Sequence, residues 1–133
     1  MRINDKPIFC RGFNWIPDDC LLERATDPAR LRERIDQGLD AGMNMLRVWG
    51  GGLYETDEFY DLCDEKGVMV YQDFPFACAF YPEEEPFGSL VEAEARDNVS
   101  RLCRHPSLVV WNGGNECLQG YTDWGWKPRA TGR

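Results

Sequence analysis

Leu108-Val109-Val110-Trp111-Asn112-Gly113-Gly114-Asn115-Glu116 is a short apolar run that breaks off into amides, glycines and an acid. So short and continuous an apolar run suits a strand covered on both faces, as in a parallel sheet. The pattern recurs upstream. Residues 8–15 run into Ile16-Pro17-Asp18-Asp19, residues 45–49 into Gly50-Gly51-Gly52, and residues 68–73 into Phe74. The fourth strand covers residues 108–111.

Helical signals fill the gaps. Thr26-Asp27-Pro28 starts a helix with a capping side chain and an early proline. Leu31, Ile35 and Leu39 then recur at helical spacing until Gly42. Thr56 stands at the next cap, with Asp57 and Glu58 near the positive end. Phe59, Leu62 and Cys63 form the apolar face of that helix, and Gly67 suits the left-handed residue that closes it. A long loop is expected over 74–88. A third helix aligns Val91, Ala95, Asn98, Val99 and Leu102, and His105-Pro106 stops it. From Asn112 onward no period is clear.

Strand–helix alternation favours a parallel sheet with crossover helices. The fold class read from it is α/β: four βα units of a (β/α)8 barrel, half the closed barrel, with residues 1–133 as one partial domain. No G-x-G-x-x-G follows the first strand and no P-loop occurs, so a nucleotide-binding sheet lacks its fingerprint. Residues 15–19, 47–54, 73–76 and 112–116 directly follow strands. They would gather at the C-terminal end of the sheet, where barrel enzymes place their chemistry.

Composition narrows the partners. The 133 residues are 43% hydrophobic and 13% aromatic, enough to bury a core. With 23 acidic against 15 basic side chains, the net charge is −8. No nucleic-acid partner is expected, because phosphate binding needs a basic footprint. No apolar run approaches the ~20 residues that span a bilayer, so no membrane partner is expected either. The first residues lack the apolar stretch of a leader, and a cytoplasmic setting is expected. Cys10, Cys20, Cys63, Cys78, Cys103 and Cys117 read as free thiols, with Cys63 and Cys103 as small hydrophobes on apolar helix faces. His105 is the single histidine and is followed by proline, so neither a metal site nor a cofactor is expected.

Three clusters carry chemistry. Asn115-Glu116 pairs an amide with a carboxylate just past a buried strand. Glu116 could protonate a glycosidic oxygen while Asn115 holds a sugar hydroxyl, and an apolar wall would raise the acid's pKa. A solvated loop acid is the plainer reading. Arg47 and Trp49 precede three glycines: a guanidinium that can hold a carboxylate ionised, and a flat ring for a sugar. An ion-pair arginine and a core tryptophan fit equally. Asp19, after Asn14-Trp15-Ile16-Pro17, is either a sugar acceptor or one acid of a polar loop. Asp73 adds an acid at the same end, and Trp124 and Trp126 are packing or a sugar platform.

Asn14-Trp15-Ile16-Pro17, residues 44–55, residues 59–65, Gln72-Asp73-Phe74, His105-Pro106-Ser107 and residues 111–116 occur in this order. Together they resemble the β-mannosidases of glycoside hydrolase family 2, over essentially the whole chain. The resemblance implies retaining hydrolysis of terminal, non-reducing β-D-mannose, with a β-mannoside or manno-oligosaccharide as substrate. It implies Glu116 as acid/base, Asn115 against the 2-hydroxyl, and Asp19, Arg47 and Trp49 near the sugar. The family often carries asparagine where this chain has Gly114 and Cys117.

A retaining glycosidase needs two carboxylates about 5–5.5 Å apart. The resemblance puts the nucleophile after a seventh strand, beyond these residues, so the remainder of the barrel is an expected partner and the chain alone is expected to be inactive. A non-catalytic carbohydrate-binding or structural role is the alternative. The first and fourth strands would be open edges, which favours a homo-oligomer of the isolated chain.

Overall fold

The computed structural model describes residues 1–127. The chain opens with an antiparallel hairpin the sequence did not signal, β1 (Arg2–Ile3) and β2 (Lys6–Pro7). Asn4 and Asp5 turn it at φ 47° and 63°, in the left-handed region such short polar residues tolerate. The sheet follows: β3 (Gly12–Trp15), β4 (Met45–Val48), β5 (Met69–Asp73) and β6 (Leu108–Asn112). The helices are α1 (Leu22–Ala25), α2 (Pro28–Asp40), α3 (Asp57–Lys66), α4 (Phe87–Leu102) and α5 (Cys117–Thr122).

The first strand is shorter than the apolar pattern over residues 8–15. Ile8 N–H closes onto Met1 C=O, and Asn44 receives Arg11 N–H while donating to the Phe9 carbonyl. Those bonds hold residues 8–11 outside the ladder, with Phe9 82% exposed.

The four strands are parallel and neighbour one another in chain order, β3-β4-β5-β6. Crossovers of one hand between consecutive neighbours put α2, α3 and α4 on the same side of the sheet, where they share one core, and this is how a barrel wall is built. The register rows show both faces. Leu46 and Val70 lie in one row, Val48 and Gln72 in another, and all four are buried. The alternate row is Asn14, Arg47 and Tyr71, continued on β6 by Val110. Between Val70 and Tyr71 the register with β6 shifts by one residue, which brings Asn112 opposite Asp73. The half-barrel expectation holds.

The helices form where the sequence placed their signals. Asp27 Oδ1 accepts from Arg30 N–H at 3.0 Å, capping α2 with Pro28 in its first turn. Gly67 closes α3 at φ 68°. Thr56 stands at the start of α3 but makes no capping bond, and its hydroxyl is buried without a partner among the described residues. Trp15, Leu31, Ile35, Phe59, Tyr60, Leu62, Cys63 and Leu102 build the core between helices and sheet. Phe59 joins it to the site end, with its ring 4.9 Å from Trp15 and edge-on to Tyr60 at 5.2 Å.

Cys103 departs from expectation. It is the exposed residue after α4, where its thiol donates to the Ser100 carbonyl, whereas Cys63 is fully buried and burial pushes its thiol up to about 12. All six cysteines are free. Among the described residues no helix is long and apolar enough to cross a membrane.

Candidate active site

Asp73, the last residue of β5, organises the C-terminal end of the sheet. Its side chain is 0% exposed. A carboxylate is tolerated in the interior only when its oxygens find hydrogen-bond donors. Asp73 accepts from Arg47 Nη2 at 2.7 Å and Nε at 3.2 Å, from Gly50 N–H at 3.1 Å and from Asn112 Nδ2 at 2.7 Å. The forked Arg–carboxylate geometry fixes the guanidinium plane as well as its charge. β5 is itself anchored by Gln72, which accepts the Tyr60 hydroxyl proton at 2.6 Å and donates to the Asp73 carbonyl at 2.8 Å.

From Asp73 the order passes to Glu116. Arg47 Nη2 also donates to Asn115 Oδ1 at 2.8 Å. That contact settles the orientation of the Asn115 amide, because its nitrogen must then face the other way. Asn115 Nδ2 donates to Glu116 Oε2 at 3.1 Å and to Cys78 Sγ at 3.3 Å, and the Cys78 thiol donates to the same Glu116 oxygen at 3.2 Å. Asn115 is buried, while Glu116 is exposed at the start of α5 with φ 60°. Among the described residues, the side chains that hydrogen-bond the Glu116 carboxyl are a thiol and an amide.

Close backbone approach makes this possible. A side chain on Gly114, at φ 140°, would lie 2.9 Å from Phe76 Cβ and 3.0 Å from its carbonyl oxygen. An asparagine at that position would require the loop to move. On the other side, a Cβ on Gly50 would meet the Phe74 and Phe76 carbonyls at 2.6 and 2.7 Å. Glycines thus clamp the loop after β5 between the loops after β4 and β6.

The sequence-derived candidates separate into two groups. Arg47, Asn115 and Glu116 meet, lining one open cleft of about 890 Å³. Trp49 and Asp19 do not line it. Trp49 is half-buried, and its ring lies so close over Gly51 that an added Cβ there would sit 2.0 Å away. Asp19 is held by Arg24, by Arg30 and by Leu21 N–H, and the bond to that amide is the first of the effects lowering its pKa. None of those bonds reaches the Arg47 cluster. Trp126 packs over Gly120 and against Phe80 at 5.0 Å, whereas Trp124 is 45% exposed.

Cys78, Asn112 and the hub role of Asp73 were not among the sequence candidates. The Asp73 signal was present, an acid ending an apolar strand; Cys78 lies inside a loop without period. Asp61, Asp64 and His105 bring metal-type donors within 4.8 Å of one another. His105 Nδ1 is 2.7 Å from Asp64 Oδ2, and Nε2 accepts from Arg104, so both ring nitrogens are already engaged. Asp64 also receives Ser107 N–H, which ties α3 to the segment leading into β6.

Comparison with known proteins agrees with this architecture. Residues 1–124 match the family model described as glycosyl hydrolases family 2, TIM barrel domain. A β-mannosidase of Bos taurus is 53% identical over 115 residues, covering 86% of this chain and 13% of its own length. β-Mannosidase B of Emericella nidulans is 49% identical over 118 residues, 89% of this chain and 14% of its own. The crystal structure of a β-D-mannosidase from Dictyoglomus thermophilum superposes with TM-score 0.88 at 50% identity, covering 92% of this chain and 15% of that one. The chain thus spans only about an eighth to a seventh of these relatives. A match over nearly every residue, together with a four-stranded parallel sheet in sequential order, shows that the chain belongs to the TIM-barrel domain of glycosyl hydrolase family 2.

Proposed function

We propose that these residues form the acid/base half of the active site of a retaining exo-β-mannosidase acting on terminal, non-reducing β-D-mannose. The observation that carries the reading is the chain Asp73–Arg47–Asn115–Glu116 at the C-terminal end of the sheet. The β-mannosidase names of the relatives support the substrate class.

In this reading Glu116 protonates the leaving oxygen in the first step and takes a proton from water in the second. Asn115 holds the 2-hydroxyl, its amide turned by Arg47. Trp49 offers a ring face and Asp19 an acceptor farther out around the sugar. Asp73 cannot serve as nucleophile, because four hydrogen bonds, two of them from the Arg47 guanidinium, occupy its oxygens. The second carboxylate then comes from the remainder of the barrel, outside these residues. Two carboxylates suffice for this chemistry, so no metal or cofactor enters the proposal. Six free thiols suit a reducing, cytoplasmic compartment.

Hydrolysis of a phenyl β-D-mannoside tests the reading. The 133-residue chain alone is expected to be inactive. The full-length enzyme carrying these residues is expected to turn over, and Glu116→Gln to lower its kcat/KM by about 10²–10⁴-fold. Turnover by the chain alone, abolished by Glu116→Gln, would place the second carboxylate within these residues. An unimpaired Glu116→Gln enzyme would remove Glu116 from its role. Glycan binding by that variant without any turnover in the parent would favour a binding module.

A further inference from the structure

We propose that Cys78 is a positioning residue for Glu116, its thiol holding Oε2 so that the catalytic proton is carried on Oε1. The inference rests on the reading of Glu116 as the acid. Cys78 comes from the loop after β5, 38 residues away in the chain. The backbone delivers it there. Ala77 bridges to Asn115 in parallel, Asn115 N–H donates to the Phe76 carbonyl at 2.7 Å, and Cys78 N–H to the Asn115 carbonyl at 3.0 Å. Cys78 and Glu116 both hold left-handed backbone conformations, φ 48° and 60°. Residues other than glycine seldom adopt these, so the surrounding structure must enforce them.

Both donors that reach the Glu116 carboxyl end on one atom. The Cys78 thiol at 3.2 Å and the Asn115 amide at 3.1 Å each donate to Oε2. Among the described residues no hydrogen bond reaches Oε1. A protonated carboxyl carries its hydrogen on one oxygen and accepts on the other. Loading Oε2 with two donors therefore leaves Oε1 as the proton-bearing atom. The charged and titratable groups around this pair are Arg47, which reaches Asn115 Oδ1, with Asp73 behind it, and Cys117, whose thiol donates to the Asn115 carbonyl at 3.5 Å. The bond works in both directions: the carboxylate of Glu116 is the first cause that pushes the Cys78 thiol above its ordinary value.

Two measurements test the proposal. In the 133-residue chain, iodoacetamide labelling at Cys78 is followed by peptide mass spectrometry against pH, for the wild type and Glu116→Gln. The half-maximal labelling rate is expected at lower pH in the variant; superimposable profiles overturn the contact. This arm does not depend on catalysis.

In the full-length enzyme, kcat/KM is compared for a 2,4-dinitrophenyl mannoside, whose leaving group needs no proton, and a phenyl mannoside, whose leaving group does. Cys78→Ala is expected to lose about tenfold on the phenyl substrate and less than about twofold on the dinitrophenyl one. Cys78→Ser, which keeps a donor, is expected to recover most of that loss. An equal loss on both substrates, or no recovery by serine, means the thiol only fills space and overturns the proposal. If Glu116→Gln itself shows no preference for the activated substrate, the acid/base reading falls first and this inference with it.

Discussion

Asp73 and Glu55 are both buried acids near the C-terminal end of the sheet, and their surroundings treat them oppositely. Asp73 has a donor for each lone pair it presents and a guanidinium beside it. Glu55, 2% exposed, accepts from Trp15 Nε1 at 2.9 Å, while its Oε2 has no partner among the described residues. Burial raises the Glu55 pKa, with the Trp15 and Thr56 hydrogen bonds only partly opposing it. The folded state therefore binds this proton more tightly than the unfolded chain does. The resulting stability is fully present below the ordinary value of 4.5 and is lost as pH rises through the folded-state value. Glu55→Gln keeps an oxygen for Trp15 and removes the titration. Urea midpoints measured from pH 4 to 8 should show the variant gaining on the wild type as pH rises; a constant gap would contradict the assignment.

At the scale of elements, α3 ties the layers together. Phe59 is fully buried between Trp15 of β3 and Tyr60, and Tyr60 reaches Gln72 of β5. Truncating such a ring leaves a cavity among rigid neighbours, so Phe59→Ala is expected to cost about 3–5 kcal/mol in urea unfolding. A loss below about 1 kcal/mol would mean that the helix repacks over the gap. The signals of α2 and α3 were legible, since an Asp27 cap, a Gly67 stop and apolar spacing are local properties of the chain. The β1–β2 hairpin, α1 and α5 were not. Each is very short, and too short a segment carries no period; the hairpin and α5 also involve left-handed backbone at Asn4, Asp5 and Glu116. The start of β3 was misplaced because Asn44, far away in sequence, draws residues 9 and 11 out of the ladder.

For the molecule as a whole, a four-stranded parallel sheet with sequential order leaves β3 and β6 as its two edges. Phe13 on β3 is exposed, and Phe9 just before it more so. Unpaired strand edges beside exposed aromatics favour pairing with a second chain. The isolated 133-residue chain is expected to be a dimer or larger in light scattering at micromolar concentration, and a monodisperse monomer would contradict this. In a closed eight-stranded barrel, further strands would cover the same edges.

Alternating short apolar runs and amphipathic helices determined a parallel α/β sheet, because burial on both faces and helical spacing are written locally. They also pointed to the candidate site. Residues that directly follow parallel strands must emerge at one end, so Arg47, Asp73, Asn115 and Glu116 had to be neighbours of some kind. What each would touch depended on tertiary structure. The one-residue shift in β6 sets Asn112 against Asp73, and glycines at 50 and 114 admit the loop that carries Cys78. Arg47 thereby orients Asn115 across 68 residues, and Arg24 and Arg30 hold Asp19. Such pairings follow from register and close packing between distant segments, and no local pattern of residues encodes them.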